Sequence, residues 1–275
     1  MADTDSSHQV DAVDRAHLTG QSHPSPPIAR YDPSPDLLGL VTRFWVPVWS
    51  TPHPLVQRTL QHPNPLLVIT DTYARFYGVT RGLSTVTLEG DGWAFGTMLR
   101  PAAGVPLLGA PMSTLTDTHL DLADLPGLPG SALRDAVRAV MAPEPSDPAR
   151  HAAAQVFVED ALRHLLPLDR SGHLANAVVD WVTTHPDATR VADLAAGVGL
   201  SERSLQRLVD RHLGLTPKWL LQRRRIQDAV LLLKEGSRSL ADVAAEVGYA
   251  DQAHFTHDFR DVTGMTPGEY ASDQG

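Results

Sequence analysis

The stretch TRVADLAAGVGLSERSLQRLVDRHLGLTP, residues 189–217, returns in altered form as SLADVAAEVGYADQAHFTHDFRDVTGMTP at residues 239–267. The two copies keep their Thr-Pro ends, several glycines and most apolar positions at an offset of about 49 to 50 residues. Such self-similarity indicates a structural unit that is built twice and packed as a pair. The chain is therefore expected to be organised around this repeat.

Each copy has the pattern of a short helix, a glycine turn and a second helix. In the first copy, Val191, Leu194 and Val198 recur at helical spacing. Gly199 follows where a left-handed turn residue is suitable, and Ser201 is a good N-cap for the next helix. This arrangement predicts a helix-turn-helix, in which the second helix enters the major groove of DNA.

The second helix of the first copy has a polar face that suits DNA. Its apolar positions 205, 208 and 209 face inward, which leaves Arg203, Gln206, Arg207 and Asp210 on the opposite side. Arginine bonds bidentately to guanine and glutamine to adenine. Residues 199–225 hold seven Lys/Arg against two acidic residues, which predicts a positive stripe along the phosphates. The alternative is a solvated face of an ordinary helical bundle; the repeat favours DNA binding.

The C-terminal region resembles the tandem helix-turn-helix domain of AraC/XylS-family transcription regulators. The matching segments are GLSERSLQRLVDRHLGLTP, the linker RRRIQDAVLLL and GYADQAHFTHDFRDVTGMTP. In that family the first residues of each recognition helix read bases. The resemblance implies DNA contacts in the first copy at Arg203, Ser204, Gln206, Arg207, Arg211 and Lys218, and in the second at Gln252, Ala253, His254, Thr256 and His257.

The two copies differ in their reading faces. An arginine such as Arg203 or Arg207 can form two parallel hydrogen bonds to guanine, whereas His257 can form one bond per ring nitrogen and Ala253 can contact only a thymine methyl. The first copy is therefore predicted to carry most of the base specificity.

Composition predicts a globular chain of two domains. Its 275 residues are 42% hydrophobic and include no cysteine, which excludes disulfides, cysteine zinc sites and thiol nucleophiles. No apolar run approaches the ~20 residues of a membrane span, and the first residues lack a signal-peptide pattern, so a cytoplasmic location is expected. The net charge of −9 is unusual for a DNA-binding protein, so the local positive stripe must supply the phosphate contacts.

The N-terminal half has a different pattern. Residues 1–27 are polar, end in SHPSPP and are predicted to be a disordered tail. Residues 28–125 hold short β-branched and aromatic runs, such as LVTRFWVPVW and PLLVITD, separated by turn residues, which predicts a β-rich domain. YDPSPDLLGLVTRFW and the Pro/Gly-rich, aperiodic LRPAAGVPLLGAPMSTLTD resemble an N-terminal domain found ahead of such DNA-binding domains. That resemblance implies a cupin-like sensor or dimerisation domain.

Residues 126–170 are predicted to form a helical connector. Its second helix, at about residues 147–166, should have Ala152, Val156, Ala161, Leu162 and Leu165 on one side. These helices connect or dimerise the sensor, or they pack against the sheet. Residues 171–275 form the predicted AraC-type DNA-binding domain.

The DNA-binding domain is predicted to contain units at residues 189–216 and 238–266 and a linker helix at 217–234. The linker helix would span about 26 Å. Its apolar stripe, expected to pack between the units, is Ile226, Ala229, Val230 and Leu233.

Other chemistries find little support. His53 and His62 lie in the β-rich region without clustered ligands, and Glu89 is the only glutamate between residues 31 and 143. His254 and His257 are better placed for a groove contact than for a metal. No GxSxG, P-loop or GxGxxG occurs in a supporting context, so no metal, cofactor or catalysis is predicted. Trp181 and Trp219 lie in apolar stripes and are expected in the core rather than on bases.

The sequence thus predicts an α+β chain with an N-terminal β-rich, cupin-like domain, a helical connector and an all-α tandem helix-turn-helix domain. The predicted function is a one-component transcription regulator that inserts recognition helices into the major groove of double-stranded DNA. The alternative is a protein-interaction module that its C-terminal domain tethers to DNA. An unidentified small-molecule effector, RNA polymerase and a second copy of the chain stay open as partners, and no membrane contact is expected.

Overall fold

The computed structural model of the protein describes Leu18 and residues 26–274. Most of the tail predicted at residues 1–27 lies outside these described residues. An antiparallel sheet occupies the N-terminal part, and the C-terminal part is helical. This arrangement confirms the predicted fold class.

The strands are β1 (Ile28–Tyr31), β2 (Val41–Thr59), β3 (Leu66–Thr70), β4 (Ala74–Tyr77), β5 (Ser84–Leu99) and β6 (His119–Asp121). They form an antiparallel sheet in the order β1-β2-β5-β3-β4-β6. Strands β2 and β5 are longer than the predicted runs and pair along almost their full length. The pairing is irregular between Thr51 and Leu55, where Pro52 and Pro54 have no N–H for the ladder.

Helix α1 (Pro101–Leu108) lies in a segment that the sequence predicted to be irregular. Pro101 occupies the first turn, where a missing N–H costs little, and Gly109 ends the helix with φ 69°. Most of its residues are buried, and it packs against β5 and the C-terminal helices. Because the helix is apolar on all sides, it has no amphipathic period by which the sequence would reveal it.

Helices α2 (Gly130–Met141) and α3 (Pro148–Leu162) follow. The Asp147 side chain caps α3 by accepting a hydrogen bond from the Ala149 N–H at 2.9 Å. The predicted inner side of this helix is confirmed at Leu162, which is buried, and at Ala161 and Leu165, which pack against the core, but it is wrong at Ala152 and at Val156, which is 53% exposed. The buried residues are His151, Ala154, Val158, Glu159 and Leu162. Both sides of α3 are rich in apolar residues, so their spacing did not separate all the exposed residues from those that pack on the core.

The remaining helices are α4 (Arg170–Thr184), α5 (Val191–Gly197), α6 (Glu202–Leu213), α7 (Pro217–Glu235), α8 (Leu240–Glu246), α9 (Gln252–Thr263) and α10 (Pro267–Gln274). The linker helix is α7, which Thr216 caps and Gly236 ends in the left-handed conformation. In the described part of the chain, no helix combines the length and apolar character needed to cross a membrane.

Three hydrophobic cores occur among the described residues. The largest lies between the sheet and helices α1, α2 and α3. The first-unit core joins α4, α5, α6 and the N-terminal half of α7, and it includes Val79, which follows β4. The second-unit core joins the C-terminal half of α7 with α8, α9 and α10, and it includes Leu18 and Leu60. The N-terminal half of the chain therefore contributes a fully buried side chain, Val79 or Leu60, to the core of each unit.

Polar contacts also join the N-terminal half to the end of α6. Thr116 Oγ1 donates to the Gly214 carbonyl at 2.9 Å, and Ser113 Oγ donates to the Asp210 carboxylate at 3.3 Å. A Cβ on Gly214 would lie 2.1 Å from Thr116 Oγ1, and Gly214 has φ 69°. Both facts require glycine at this close approach.

Candidate nucleic-acid interface

The first recognition helix, α6, is bounded by the residues that the sequence indicated. Ser201 Oγ accepts a hydrogen bond from the Ser204 N–H at 3.2 Å, and Gly214 ends the helix in the left-handed conformation. The buried side consists of Leu205, Val209, His212 and Leu213. The opposite side therefore faces solvent, where a DNA groove can reach it.

The residues predicted to contact DNA on and after α6 are mostly exposed. Arg203, Gln206, Arg207, Arg211 and Lys218 are exposed, whereas Ser204 is half-buried and its hydroxyl accepts from the capping hydroxyl at 3.0 Å. Among the described residues, no salt bridge engages these four cations. Their donors are thus free for phosphates or base edges.

Asp210 lies at the edge of this surface, towards the N-terminal half. The sequence placed it on the reading side with Arg203, Gln206 and Arg207. In the structure its carboxylate accepts the hydrogen bond from Ser113. We call the exposed side of α6, with Arg203, Gln206 and Arg207, the first reading surface. The hydrogen bond to Ser113 connects the edge of this surface to the N-terminal half of the chain.

The second recognition helix, α9, is built in the same way from different residues. The Asp251 side chain accepts a hydrogen bond from the His254 N–H at 2.8 Å, and Gly264 ends the helix with φ 76°. Its buried side consists of Phe255, Phe259 and Thr263. Of the residues predicted to contact DNA, Thr256 is half-buried; the exposed ones are Gln252, Ala253, His254 and His257.

A surface cavity of about 720 Å³ lies along α9. It brings together four of the five predicted contacts of this unit and leaves out His254. Its lining is Gln252, Ala253, Thr256, His257, Arg260, Asp261 and Thr266. The sequence reasoning missed Arg260 and Thr266. The helical spacing of 252, 256 and 260 was the signal that would have found Arg260.

The exposed side of α9, with Gln252, Ala253 and His257, is the second reading surface, and aspartate carboxylates lie close to its histidines. His254 Nε2 lies 3.6 Å from Asp258 Oδ2, and His257 Nδ1 lies 3.3 Å from Asp261 Oδ2. Burial raises the pKa of the Tyr249 phenol, which therefore stays protonated and donates to Asp258 Oδ2 at 3.1 Å. The second surface is thus less positive than the first.

Three of the seven cations counted in the positive stripe have structural partners instead. Arg223 is 2% exposed. Arg224 Nε donates to Asp228 at 2.7 Å and its Nη1 to the Thr183 carbonyl at 2.8 Å. Arg225 Nε donates to the Val247 carbonyl at 2.7 Å. The expectation that these three neutralise phosphate is corrected, because neighbouring residues on a helix face different directions and each finds its own partner.

The two tryptophans belong to the first-unit core, as expected from their apolar stripes. Trp181 is half-buried and stacks on His185 at 4.3 Å, and Trp219 is half-buried with the Arg223 guanidinium 4.5 Å from its ring centroid. No group of three or more potential metal ligands occurs among the described residues.

Two family models match separate parts of the chain. Residues 194–273 match a family described as a helix-turn-helix domain. Residues 29–121 match one described as a domain of unknown function, DUF6597.

Known transcription regulators are similar to part of the chain. A putative AraC-like transcription regulator of Streptomyces lividans is 35% identical over 132 residues, which cover 44% of this chain and 43% of that protein. The transcriptional activator RhaS of Escherichia fergusonii is 35% identical over 95 residues, 34% of each chain. The chain therefore matches less than half the length of these relatives. Among solved structures, ToxT of Vibrio cholerae aligns over 90% of this chain and 96% of its own, with 11% identity and a TM-score of 0.40.

Proposed function

Because the chain belongs to the AraC/XylS family, we propose that it binds a specific site in double-stranded DNA and regulates transcription there. The observation that carries the proposal is the pair of capped helices, α6 and α9, each with its predicted reading residues largely exposed and its opposite side buried. That is the geometry by which a helix-turn-helix presents side chains to the major groove. No catalytic step belongs to this proposal, which places the protein in the cytoplasm with the DNA.

In vitro selection from a pool of random-sequence duplexes tests this function. We expect the full chain to enrich one duplex sequence and to bind it at least ~10³-fold more tightly than a scrambled duplex. The matched comparison is a variant with Arg203, Gln206 and Arg207 changed to alanine. Failure of the unmodified chain to enrich any sequence would refute sequence-specific DNA binding.

A small-molecule effector is proposed for the N-terminal half, because that half touches both reading units. Val79 lies in the first-unit core and Leu60 in the second-unit core. A ligand that binds one arrangement of this half better than another would bias the positions of the reading helices. Contact with RNA polymerase belongs to the same regulatory proposal.

A second copy of the chain is the proposed partner of helix α3. Val156 and Phe157 are 53% and 41% exposed, and Ala152 and Ala153 beside them are also exposed. In an antiparallel pair of α3 helices, Phe157 of each copy would pack near Ala153 of the other. Sedimentation equilibrium tests this contact.

We expect Phe157→Lys to weaken self-association. Val86→Lys is the matched control, because Val86 is 45% exposed on β5, away from α3. Equal self-association of both variants and the unmodified chain would rule this surface out.

A further inference from the structure

The two helix-turn-helix units are joined by few elements. Their hydrophobic cores are separate, and α7 is the helix that contributes to both. Leu220 and Leu221 of α7 pack in the first-unit core, whereas Ile226, Ala229, Val230 and Leu233 pack in the second-unit core. The stripe predicted to lie between the units therefore belongs to the second one. A single helix bends, so α7 alone fixes the two recognition helices only loosely.

The N-terminal half of the chain forms a second bridge beside α7. Val79 after β4 and Leu60 after β2 are fully buried, one in each unit's core. Both side chains come from loops of the same sheet. A body that is anchored in both cores limits how far one unit can turn relative to the other.

Arg223 lies in the middle of this bridge. Its Nη2 donates to the carbonyls of Arg81 and Gly82, the latter at 3.3 Å, and its guanidinium lies 4.5 Å from the Trp219 ring centroid. Burial lowers the pKa of Arg223 to about 10, so the side chain remains cationic at neutral pH. Within the described residues its Nε and Nη1 have no hydrogen-bond partner.

Gln227, one turn further along α7, extends the same contact. It is 4% exposed, and its Nε2 donates to the Leu60 carbonyl at 3.4 Å. Arg223 and Gln227 thus form a buried polar side of α7 that faces loops 60 and 81–82 of the N-terminal half. A buried cation without a carboxylate is costly, and a well-packed apolar side chain is often at least as stable. Stability therefore does not account for an arginine here, whereas fixing one position of α7 against the sheet does.

From these contacts we infer that the N-terminal half acts as a splint, and that Arg223 and Gln227 are positioning residues that set the spacing of the two recognition helices. The inference rests on the proposed DNA-binding function and specifies one property of the DNA site. One base pair adds ~3.4 Å along the duplex, and a full turn takes about 10 base pairs. A splinted protein therefore reads its two DNA elements at one separation. An unsplinted protein tolerates neighbouring separations.

The first test measures the distance between the units directly, without DNA. Ala196 and Ala245 occupy equivalent exposed positions of the two units, and the chain has no cysteine, so Ala196→Cys and Ala245→Cys give two unique sites for spin labels. We expect a narrow distance distribution by double electron–electron resonance. Adding Arg223→Met should broaden or shift it by at least the ~3.4 Å rise of a base pair.

Two further variants make this test decisive. Arg224→Met is the control, because Arg224 is the neighbouring arginine and its hydrogen bonds among the described residues, to Asp228 and Thr183, lie within the DNA-binding half. It should leave the distribution unchanged. Gln227→Leu keeps a similar volume, carries the test if Arg223→Met does not fold, and should also broaden the distribution. Unchanged distributions in folded Arg223→Met and Gln227→Leu would overturn the inference.

The second test varies the DNA. Base pairs are inserted or deleted between the two elements of the selected duplex, and binding is measured by fluorescence anisotropy. We expect the unmodified chain to lose about tenfold in affinity per base-pair change, similar to one mismatched base pair, and Arg223→Met to lose about threefold or less. Identical spacing profiles would refute the splint. If the unmodified chain selects no duplex, the proposed function fails, and the spin-label distances still decide the splint.

Discussion

At the scale of single residues, Gln206 and Arg207 are the residues proposed to read bases. Both are exposed on α6, and the neighbouring Leu205 is fully buried, so truncation should not disturb the fold. We expect Gln206→Ala and Arg207→Ala each to lose about 1–3 kcal/mol on the selected duplex and to relax specificity at one base pair. Anisotropy titrations against single-base variants of that duplex measure both effects.

The control for this prediction is Arg211→Ala. Arg211 is exposed one turn after Arg207, where a phosphate contact is expected. Its loss should weaken binding uniformly across sequences and lower the slope of log affinity against log salt by about one. If Arg207→Ala behaves like Arg211→Ala, the helix is inserted in a different register from the one proposed.

His212 is expected to make the stability of the chain depend on pH. Its Nε2 lies 2.5 Å from Ser171 Oγ and its Nδ1 lies 3.4 Å from the Pro101 carbonyl. Burial lowers the pKa of His212 below its ordinary value of 6.5. The His212 imidazole thus takes up a proton less readily in the folded chain than in the unfolded chain. The free energy of unfolding is therefore unaffected by this group above the ordinary pKa, and it decreases as the pH falls from there towards the lowered pKa.

Calorimetry across this range tests the effect. We expect the unfolding temperature of the chain to fall as the pH drops below 6.5, and the fall to be smaller in His212→Gln. His185→Gln is the control, because His185 is exposed to solvent and its ring stacks on the Trp181 ring. An unchanged pH dependence in His212→Gln would assign the acid sensitivity to other groups.

The sequence predicted residues whose partners are local. Ser201, Thr216 and Ser239 cap helices because each accepts a hydrogen bond from an N–H three residues later. Arg223 was misread because its partners, the carbonyls of Arg81 and Gly82, lie more than a hundred residues away. The composition showed a cluster of positive residues around Arg223, but it gave no indication that the fold would bury the Arg223 side chain.

At the scale of elements, α7 joins the two units, because it contributes residues to both of their cores. Ala229 is fully buried in the second-unit core, in the middle of this helix. We expect Ala229→Pro to break the helix at a cost of about 3 kcal/mol or more and to abolish binding to the full duplex site. Thermal unfolding and anisotropy measure the two losses.

Ala241→Pro is the matched control for the linker. Ala241 is exposed in the first turn of α8, where proline is tolerated. This variant should keep both stability and affinity. Full-site binding by Ala229→Pro would show that the units read DNA independently.

Amphipathic spacing decided how well each element was predicted. Helix α6 has charged residues opposite its apolar side, so both its existence and its inner side were predicted. Helices α1 and α3 lack this contrast. The first was missed, and for the second the predicted inner side is wrong in its N-terminal part, with Val156 as the clearest error, although Leu162 is buried as predicted.

At the scale of the whole molecule, the sequence predicted an N-terminal sheet and C-terminal helices but not how they dock. The docking depends on contacts such as that between Thr116 and Gly214, which are 98 residues apart. Neither the repeat nor the helical spacing of apolar residues indicates that two such distant residues are in contact. The exposed sides of α6 and α9 were easier to predict than the docking, because they depend mainly on the local geometry of each helix.

The two halves of the reading surface are predicted to be unequal. The first unit offers exposed Arg203, Gln206 and Arg207, together with free cations for phosphates. The second offers Ala253 and His257, and the nearby carboxylates of α9 repel phosphate. We therefore expect the first unit to carry most of the base specificity and the second mainly to position the protein or to read a short AT-tolerant element.

Geometry adds a second component to this asymmetry. Neighbouring major-groove faces lie about 34 Å apart, whereas α7 spans about 28 Å, so inserting both helices should bend the duplex. Base pairs between the two elements then matter through their flexibility rather than through direct contacts. A TA step placed there should favour binding over a stiff A-tract.

A complete single-base scan of the selected duplex tests the asymmetry. We expect substitutions under Arg203, Gln206 and Arg207 to cost about 1–3 kcal/mol each, and those under Gln252, Ala253 and His257 to cost clearly less. His257→Arg is the complementary variant. It gives the second unit a side chain that can donate two parallel hydrogen bonds to guanine, and it should create a preference for guanine at one position there. If substitutions under both recognition helices reduced the binding free energy of the unmodified chain equally, the two units would contribute equally to base specificity. Exposed arginines would then confer no advantage over histidine and alanine.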